Sequence, residues 1–234
     1  MKENNPLVSV IIPVFNGDRH LAEAIESVLA QTYRPIEVIV VDDGSTDNSA
    51  NIARSDQQIR YIYQNNQGNG PAKNTGISVA QGELIAFLDV DDLWTSNKLN
   101  LQVNYLLQHP HIEATICQMR HFLESDNDWP SWLKKEQIDA DVAGYIPSAL
   151  VVRKTVFEKI GNFDPTYRRT NDADWFFRAK DGGIVIAIIP EVLLYKRIHN
   201  SNLSHQTKEM NSELMGILRS SIERKRNQKL SNPE

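Results

Sequence analysis

Cysteine is nearly missing from this 234-residue chain; Cys117 is the only one, so no disulfide can close within it. It lies in an apolar, strand-like run and reads as a small buried hydrophobe rather than a nucleophile. Long apolar runs are missing too. None approaches the roughly 20 residues of a membrane-spanning helix, and Met1 to Pro6 lacks the apolar core of a secretory signal. A reducing, cytoplasmic setting is the expectation. There is no excess of positive charge. The formal net charge is −5, which argues against a nucleic-acid partner, because such a partner calls for a basic face. No serine–histidine–aspartate set or metalloprotease motif is present. Gly68 and Gly70 do not make a dinucleotide fingerprint, since Lys73 stands where the third glycine would fall, and no Gly-Lys-Ser/Thr follows to make a P-loop.

What is present is the composition of a soluble globular enzyme, 41% hydrophobic and 24% charged. Residues 8–12 predict a first strand, covered on both faces and stopped by Pro13. Leu21, Ala24, Ile25, Val28 and Leu29 recur at helical spacing. Residues 36–41 predict a second strand that runs into Asp42-Asp43-Gly44-Ser45-Thr46-Asp47. There Gly44 allows a sharp turn, and Ser45 or Asp47 can cap the helix that follows. A strand over 59–63, a helix over 72–80 with Pro71 in its first turn, a strand over 84–88 and a helix over 98–108 complete four strand–helix units. This alternation predicts an α/β fold with a doubly wound parallel sheet.

Beyond Pro110 the pattern loosens. Strands are expected over 112–122, 145–152, 184–189 and 192–198, the last two flanking Pro190. Residues 124–143, with Trp129 and Trp132, read as a polar loop with a short helix. Residues 208–229 read as a helix with a basic end: either a solvated terminus or an interfacial or partner-binding element.

Acidic residues cluster where strands run out, at the edge where open α/β sheets bind ligands. Carboxylates crowded there repel unless a cation or a donor-rich ligand joins them. In Asp89-Val90-Asp91-Asp92, Asp89 and Asp91 can share a hard cation such as Mg²⁺ or Mn²⁺, which leaves positions for phosphate oxygens; the alternative is an acidic turn. Asp42 and Asp43 can accept hydrogen bonds from a nucleobase or ribose, or form a solvated turn. The stretch Gln67-Gly68-Asn69-Gly70-Pro71-Ala72-Lys73-Asn74 can bring backbone N–H groups and a helix N-terminus to a diphosphate, or be a plain glycine turn. Asp172 opens a helix as either a general base or a cap, and Arg178 can pair with Asp174. After the last strand, Arg197 or His199 can meet phosphate, and His199 can ligate metal or be structural. Trp94 and Trp175 can stack on a sugar or pack.

These residues fall into a pattern. Val8-Ser9-Val10-Ile11-Ile12-Pro13-Val14-Phe15-Asn16, Ser27-Val28-Leu29-Ala30-Gln31-Thr32-Tyr33 and Val40-Val41-Asp42-Asp43-Gly44-Ser45-Thr46-Asp47 closely resemble the opening of glycosyltransferase family 2. The match continues through Asn74-Thr75-Gly76-Ile77, Leu88-Asp89-Val90-Asp91-Asp92 and Asp172-Ala173-Asp174-Trp175, covering roughly residues 7–205. The resemblance implies a GT-A fold, a Rossmann-like three-layer α/β/α sandwich with a mostly parallel central sheet. One domain would span 1–205, with a nucleotide-sugar half at 7–108, an acceptor half at 109–205, and a helical tail at 206–234.

The implied reaction moves a hexose from a UDP- or GDP-linked sugar to an acceptor hydroxyl with inversion. Mn²⁺ or Mg²⁺ would sit at the diphosphate. By position, Pro13 and Phe15 would line the base pocket, Asp43 would bind the base, Asp89 and Asp91 would form the Asp-x-Asp motif with Asp91 as main metal contact, and Asp172 would be the base. Gly70, Lys73, Asn74, Arg197 and His199 complete the expected nucleotide-sugar set. Family members often carry Glu-Asp where this chain has Asn171-Asp172. A glycan or lipid acceptor is expected, with peripheral contact at the inner membrane face if it is a lipid. The C-terminal helix leaves membrane contact and a homodimer open. Two rival readings are a nucleotide-sugar binder without transfer and a sugar-nucleotide pyrophosphorylase. The latter needs a Gly-rich, basic loop where Pro13-Val14-Phe15-Asn16-Gly17 stands.

Overall fold

A computed structural model describes residues 5–124, 140–199 and 207–231. Nine strands form one mixed sheet. They are β1 (Val8–Val14), β2 (Ile36–Asp42), β3 (Ile59–Tyr63), β4 (Leu84–Phe87), β5 (Leu93–Trp94), β6 (Ala114–Leu123), β7 (Val142–Ala143), β8 (Leu150–Arg153) and β9 (Ile186–Ile198). The order across the sheet is β3-β2-β1-β4-β8-β6-β9-β5, with β7 added on β6. The helices are α1 (Leu21–Leu29), α2 (Ser49–Arg54), α3 (Asn69–Val79), α4 (Lys98–Gln108), α5 (Thr155–Ile160), α6 (Asn171–Asp181) and α7 (Thr207–Ser231).

The first half is the expected parallel unit. β1 pairs with β2 and β4, and β2 with β3, all parallel. β1, β4 and most of β2 are buried on both faces, which is why they read as apolar runs, whereas the edge strand β3 is largely uncovered. Val8, Val10 and Ile12 enter one core with Leu21, Ala24 and Val28 of α1 and Leu99 and Val103 of α4. Ile11, Ile39, Ile85 and Phe87 enter the other with Trp175 of α6. The chain leaves β1 toward β2 on one side and β4 on the other, so the direction of winding reverses between β1 and β4. A crevice opens beyond the carboxyl ends at such a point, and ligands settle there.

The second half adds antiparallel pairs, β4 with β8, β6 with β8 and β5 with β9, and one parallel pair, β6 with β9. Three local expectations change. Strand β1 does not stop at Pro13 but runs through it to Val14. Leu88 N–H bonds Ile11 O and Asp43 N–H bonds Val14 O, so the backbone of Pro13 faces the β4 side just past Phe87, where no ladder N–H is required. Pro190 does not divide two strands; β9 is continuous, and the ladder shifts register at Cys117/Gln118 and Gln118/Met119 instead. Part of the strand expected over 145–152 is a 3₁₀ turn, Pro147–Ala149, ahead of β8. Most of the loop and short helix expected over 124–143 lies outside the described residues.

Candidate active site

Four elements bring their ends together beyond the carboxyl ends of the parallel strands: the loops after β2 and β4, the start of α3 and the start of α6. After β2, Asp42 is buried, accepting the Ser45 N–H and the Tyr61 hydroxyl at 2.7 Å each. Burial and then the bond to Asp42 push the Tyr61 phenol up to about 12. Asp43, 3% exposed, accepts Gln64 Nε2 at 2.6 Å, Gln67 N–H at 2.9 Å and Gly68 N–H at 2.8 Å. It therefore draws the loop 64–68 against β2 and sets where α3 begins. Gly44, at φ 84°, makes the turn that leads from Asp43 toward α2. Ser45 does not cap α2; it accepts the Asn16 N–H. Asp47 instead takes the Ser49 N–H at 3.0 Å at the entrance of α2.

Pro13 is buried and Phe15 is half exposed at the exit of β1. Gly70, in the first turn of α3, is close-packed against Asn171; a Cβ there would lie 3.3 Å from Asn171 Cγ. The starts of α3 and α6 thus abut, and a side chain at 70 would push them apart. Lys73, 2% exposed, points its Nζ to within 3.9 Å of Asp89 Oδ1 and lies over the Phe163 ring. Asn74 is turned away from this cluster: its amide donates to Phe163 O at 2.8 Å and accepts the Phe163 N–H at 3.0 Å.

The loop after β4 carries three carboxylates in different surroundings. Ser148 Oγ accepts the Asp89 N–H at 3.0 Å. Asp91 Oδ2 meets His199 Nε2 at 3.0 Å. Burial alone would raise Asp91, but the His199 bond and the charges of Lys196 and His199 hold it below the usual range. Asp92 is fully buried; it accepts the Arg197 N–H at 3.2 Å and faces Lys196 Nζ at 3.7 Å. Burial pushes it to about 7 against the pull of Lys196. Burial alone would lower Lys196, but Asp92, Asp91, Asp89 and Asp172 together raise it above its ordinary value. One ammonium therefore feels the charge of four carboxylates, of which Asp92 lies at 3.7 Å.

Asp172 sits in the first turn of α6, with Thr170 rather than itself at the cap position. Burial raises its pKa, and the opposing charge of Lys73 does not undo this. Asp174 holds Arg178 Nε at 2.7 Å, as the spacing suggested. Trp94 and Trp175 both pack: Trp94 donates to Ser148 O at 2.8 Å, and Trp175 is fully buried among Phe157, Phe163 and Phe176. Arg197 is held from several sides: its Nε donates to Asp91 O at 3.0 Å, its Nη2 to Glu23, and its guanidinium covers Phe122. Residues 200–206, the rest of the loop expected to close over a ligand, lie outside the described residues.

The sequence reading passed over Lys196. Its signal was two consecutive cations, Lys196-Arg197, inside an otherwise largely apolar strand, since such charges become buried only when paired.

Two tests of ligand fit follow from these contacts. Asp89 Oδ1 is buried and has no hydrogen-bond partner among the described residues. Asp89 and Asp91 lie one residue apart on the loop, and no group of three or more His, Cys, Asp or Glu forms a metal cage among the described residues. Mg²⁺-like ions commonly take one or two protein carboxylates and fill the rest of the shell with phosphate oxygens and water, so this donor set fits such an ion. Asn69 Oδ1 and Asn171 Oδ1 are likewise buried without a hydrogen-bond partner among the described residues. Unmatched acceptors suit a ligand rich in hydroxyl donors.

Comparison with known proteins places the chain in a family. An uncharacterized glycosyltransferase of Rickettsia typhi is 35% identical over 220 residues, covering 88% of this chain and 69% of the relative. One of Nostoc sp. is 35% identical over 224 residues, covering 83% and 66%. Among solved structures, S. aureus TarS 1-349 in complex with UDP-GlcNAc superposes with a TM-score of 0.69 at 21% identity, covering 85% of this chain and 60% of that one. The mannosyltransferase PcManGT of Pyrobaculum calidifontis, in complex with GDP-Man and Mn²⁺, gives 0.74 at 18% identity, covering 94% and 65%. The chain thus spans about two thirds of these proteins. The model of glycosyl transferase family 2 matches residues 9–163, and the chain belongs to that family.

Proposed function

We propose that this glycosyltransferase moves a hexose from a nucleotide-diphosphate sugar to an acceptor hydroxyl with inversion, and that the cluster around Asp89, Asp91 and Asp172 does the work. The observation that carries this is the charge at the switch point: Lys196 feels Asp92, Asp91, Asp89 and Asp172, Lys73 lies 3.9 Å from Asp89, and Asp89 Oδ1, Asn69 Oδ1 and Asn171 Oδ1 are buried without a hydrogen-bond partner among the described residues. A nucleotide sugar matches both, with a diphosphate for the cations and hydroxyls for the acceptors. The complexes of TarS with UDP-GlcNAc and of PcManGT with GDP-Man and Mn²⁺ support this donor class.

In this reading Asp89 and Asp91 hold the divalent cation, which when bound would neutralise charge on the departing diphosphate. Asp43 orders the loop that sets the start of α3, where Pro13 and Phe15 border a base and the helix N-terminus faces phosphate. Asp172 takes the proton from the acceptor hydroxyl as that oxygen attacks the anomeric carbon from the face opposite the leaving group. A raised pKa suits it to this, because a stronger base accepts the proton more readily. Residues 7–108 serve the donor and 109–205 the acceptor, a glycan or a lipid. Slow release of free sugar from a UDP- or GDP-sugar without acceptor tests the reading; binding with no turnover under any acceptor would favour the non-transferring alternative.

A further inference from the structure

Helix α7 is bound to α6 at both ends. Glu213 accepts the N–H groups of Arg169 and Thr170 at 3.2 and 3.1 Å and the Thr170 hydroxyl at 2.7 Å. At the other end Asp181 accepts Ser221 Oγ at 3.0 Å and Arg224 Nε at 2.9 Å, and its carbonyl accepts Gln228 at 2.9 Å. These contacts fix which side of α7 faces out. Met215, Arg219, Ile222 and Arg226 follow one another at four, three and four residues, the spacing of a single helical stripe. Met215, Leu218 and Ile222 are 54%, 42% and 52% exposed. Arg219 and Arg226 are exposed beside them, whereas Lys225, though exposed, sets its Nζ 3.6 Å from Asp181 of α6; Glu223 is the one exposed carboxylate among the described residues of that face.

We propose that this outward face of α7 lies on an anionic lipid surface. Two outward arginines to one carboxylate, on a chain whose net charge is −5, make a local patch of opposite sign to the rest of the molecule. Apolar side chains interleaved with arginines on one stripe are what an interfacial helix needs, the former entering the acyl boundary and the latter meeting headgroup phosphates. No described helix is long and apolar enough to cross a bilayer; the proposed contact is a helix lying along the surface. A second copy fits less well, since an isologous helix pair would set Arg219 and Arg226 against their own equivalents. Glu213 joins α7 to the helix start that carries Asp172, so the lipid face lies roughly one helix diameter, about 10 Å, from that start. A lipid-borne acceptor would then be met at the base. This last step rests on the proposed transfer reading, whereas the lipid contact does not.

Flotation of the full chain with vesicles of phosphatidylcholine, alone or mixed with phosphatidylglycerol, tests it. Binding is expected only with the anionic mixture and is lost as salt is raised. R219Q/R226Q should weaken partition roughly thirtyfold, and M215Q/I222Q should also weaken it. Both variants should keep the wild-type circular dichroism and nucleotide binding, which separates this result from any failure of the donor site. Equal binding to neutral vesicles, no binding to either, or unchanged binding by R219Q/R226Q would overturn the proposal. So would a dimer by light scattering that M215Q/I222Q abolishes, because the face would then belong to a second copy.

Discussion

Lys196 Nζ lies 3.7 Å from the Asp92 carboxylate, which is completely buried. The pair joins β9 to the loop that carries Asp89 and Asp91, and the Arg197 N–H bond to Asp92 reinforces it. The carboxylates proposed to hold the cation are thus set in place by residues from more than a hundred positions away in sequence.

Replacing Lys196 with methionine removes the partner and keeps the length of the side chain. Breaking a buried pair from one side costs about 3 kcal/mol. The loss should depend on pH. Without the lysine, Asp92 keeps its proton to still higher pH in the folded state, so the folded protein binds more protons than the unfolded one and stability falls as pH rises. Urea denaturation should find K196M weakened less near pH 5, where Asp92 is protonated and only the attraction to other carboxylates such as Asp91 is lost, than near pH 8. An equal loss at both would show that the ion pair is not the cause.

Lys98 makes the opposite case. It is fully buried over the Trp94 ring at 4.1 Å, and its Nζ has no hydrogen-bond partner among the described residues. Burial lowers it to about 8 from 10.5. Between those values the unfolded chain binds more protons than the folded one, so stability rises with pH there, and below 8 the folded state carries the full cost of a buried charge. Lys98→Met should therefore stabilise the protein near neutrality by roughly 2 kcal/mol, a gain that disappears above about pH 10.5. Thermal melts of both proteins across this range check it; a destabilised variant at pH 7 would mean that the cation–π contact outweighs the burial.

Asp172 is raised by burial, and a base acts only when ionised. Transfer should fall as pH drops through a value above that of an ordinary aspartate. Asp172→Asn should keep donor binding, lose about 10²–10⁴ in rate, and lose that acidic limb from whatever rate remains. Full transfer by D172N, or an unchanged limb, would remove Asp172 from the role.

Much of the first half of the fold was legible because its signals are local. Val38, Ile39, Val40 and Val41 are all buried, and an unbroken apolar run ending in Asp42-Asp43 announces a covered parallel strand with acids at its mouth. Leu84 to Leu88 before Asp89 reads the same way. Pro13 misled because its effect on a strand depends on whether the neighbour still needs its N–H, a fact that belongs to β4. The single strand β9 and the 3₁₀ turn at Pro147 depend on pairing with β6 and β8, which no local pattern encodes. Asp172 could be read as base or cap. Thr170 at the cap position and Glu213, which accepts its N–H and hydroxyl, come from the neighbouring residue and from a distant helix. Asn74 lies inside a motif yet turns to Phe163, which a motif cannot show.

Calorimetry of UDP and GDP binding, with and without Mn²⁺, to the wild type and to Asp91→Asn bears most directly on the aspartate cluster as a cation-assisted diphosphate site. One of the two nucleotides should bind the wild type in the presence of Mn²⁺ and bind far more weakly in its absence, and D91N should lose the metal-dependent part. Tight binding without metal, or binding with Mn²⁺ that D91N leaves unchanged, would contradict it.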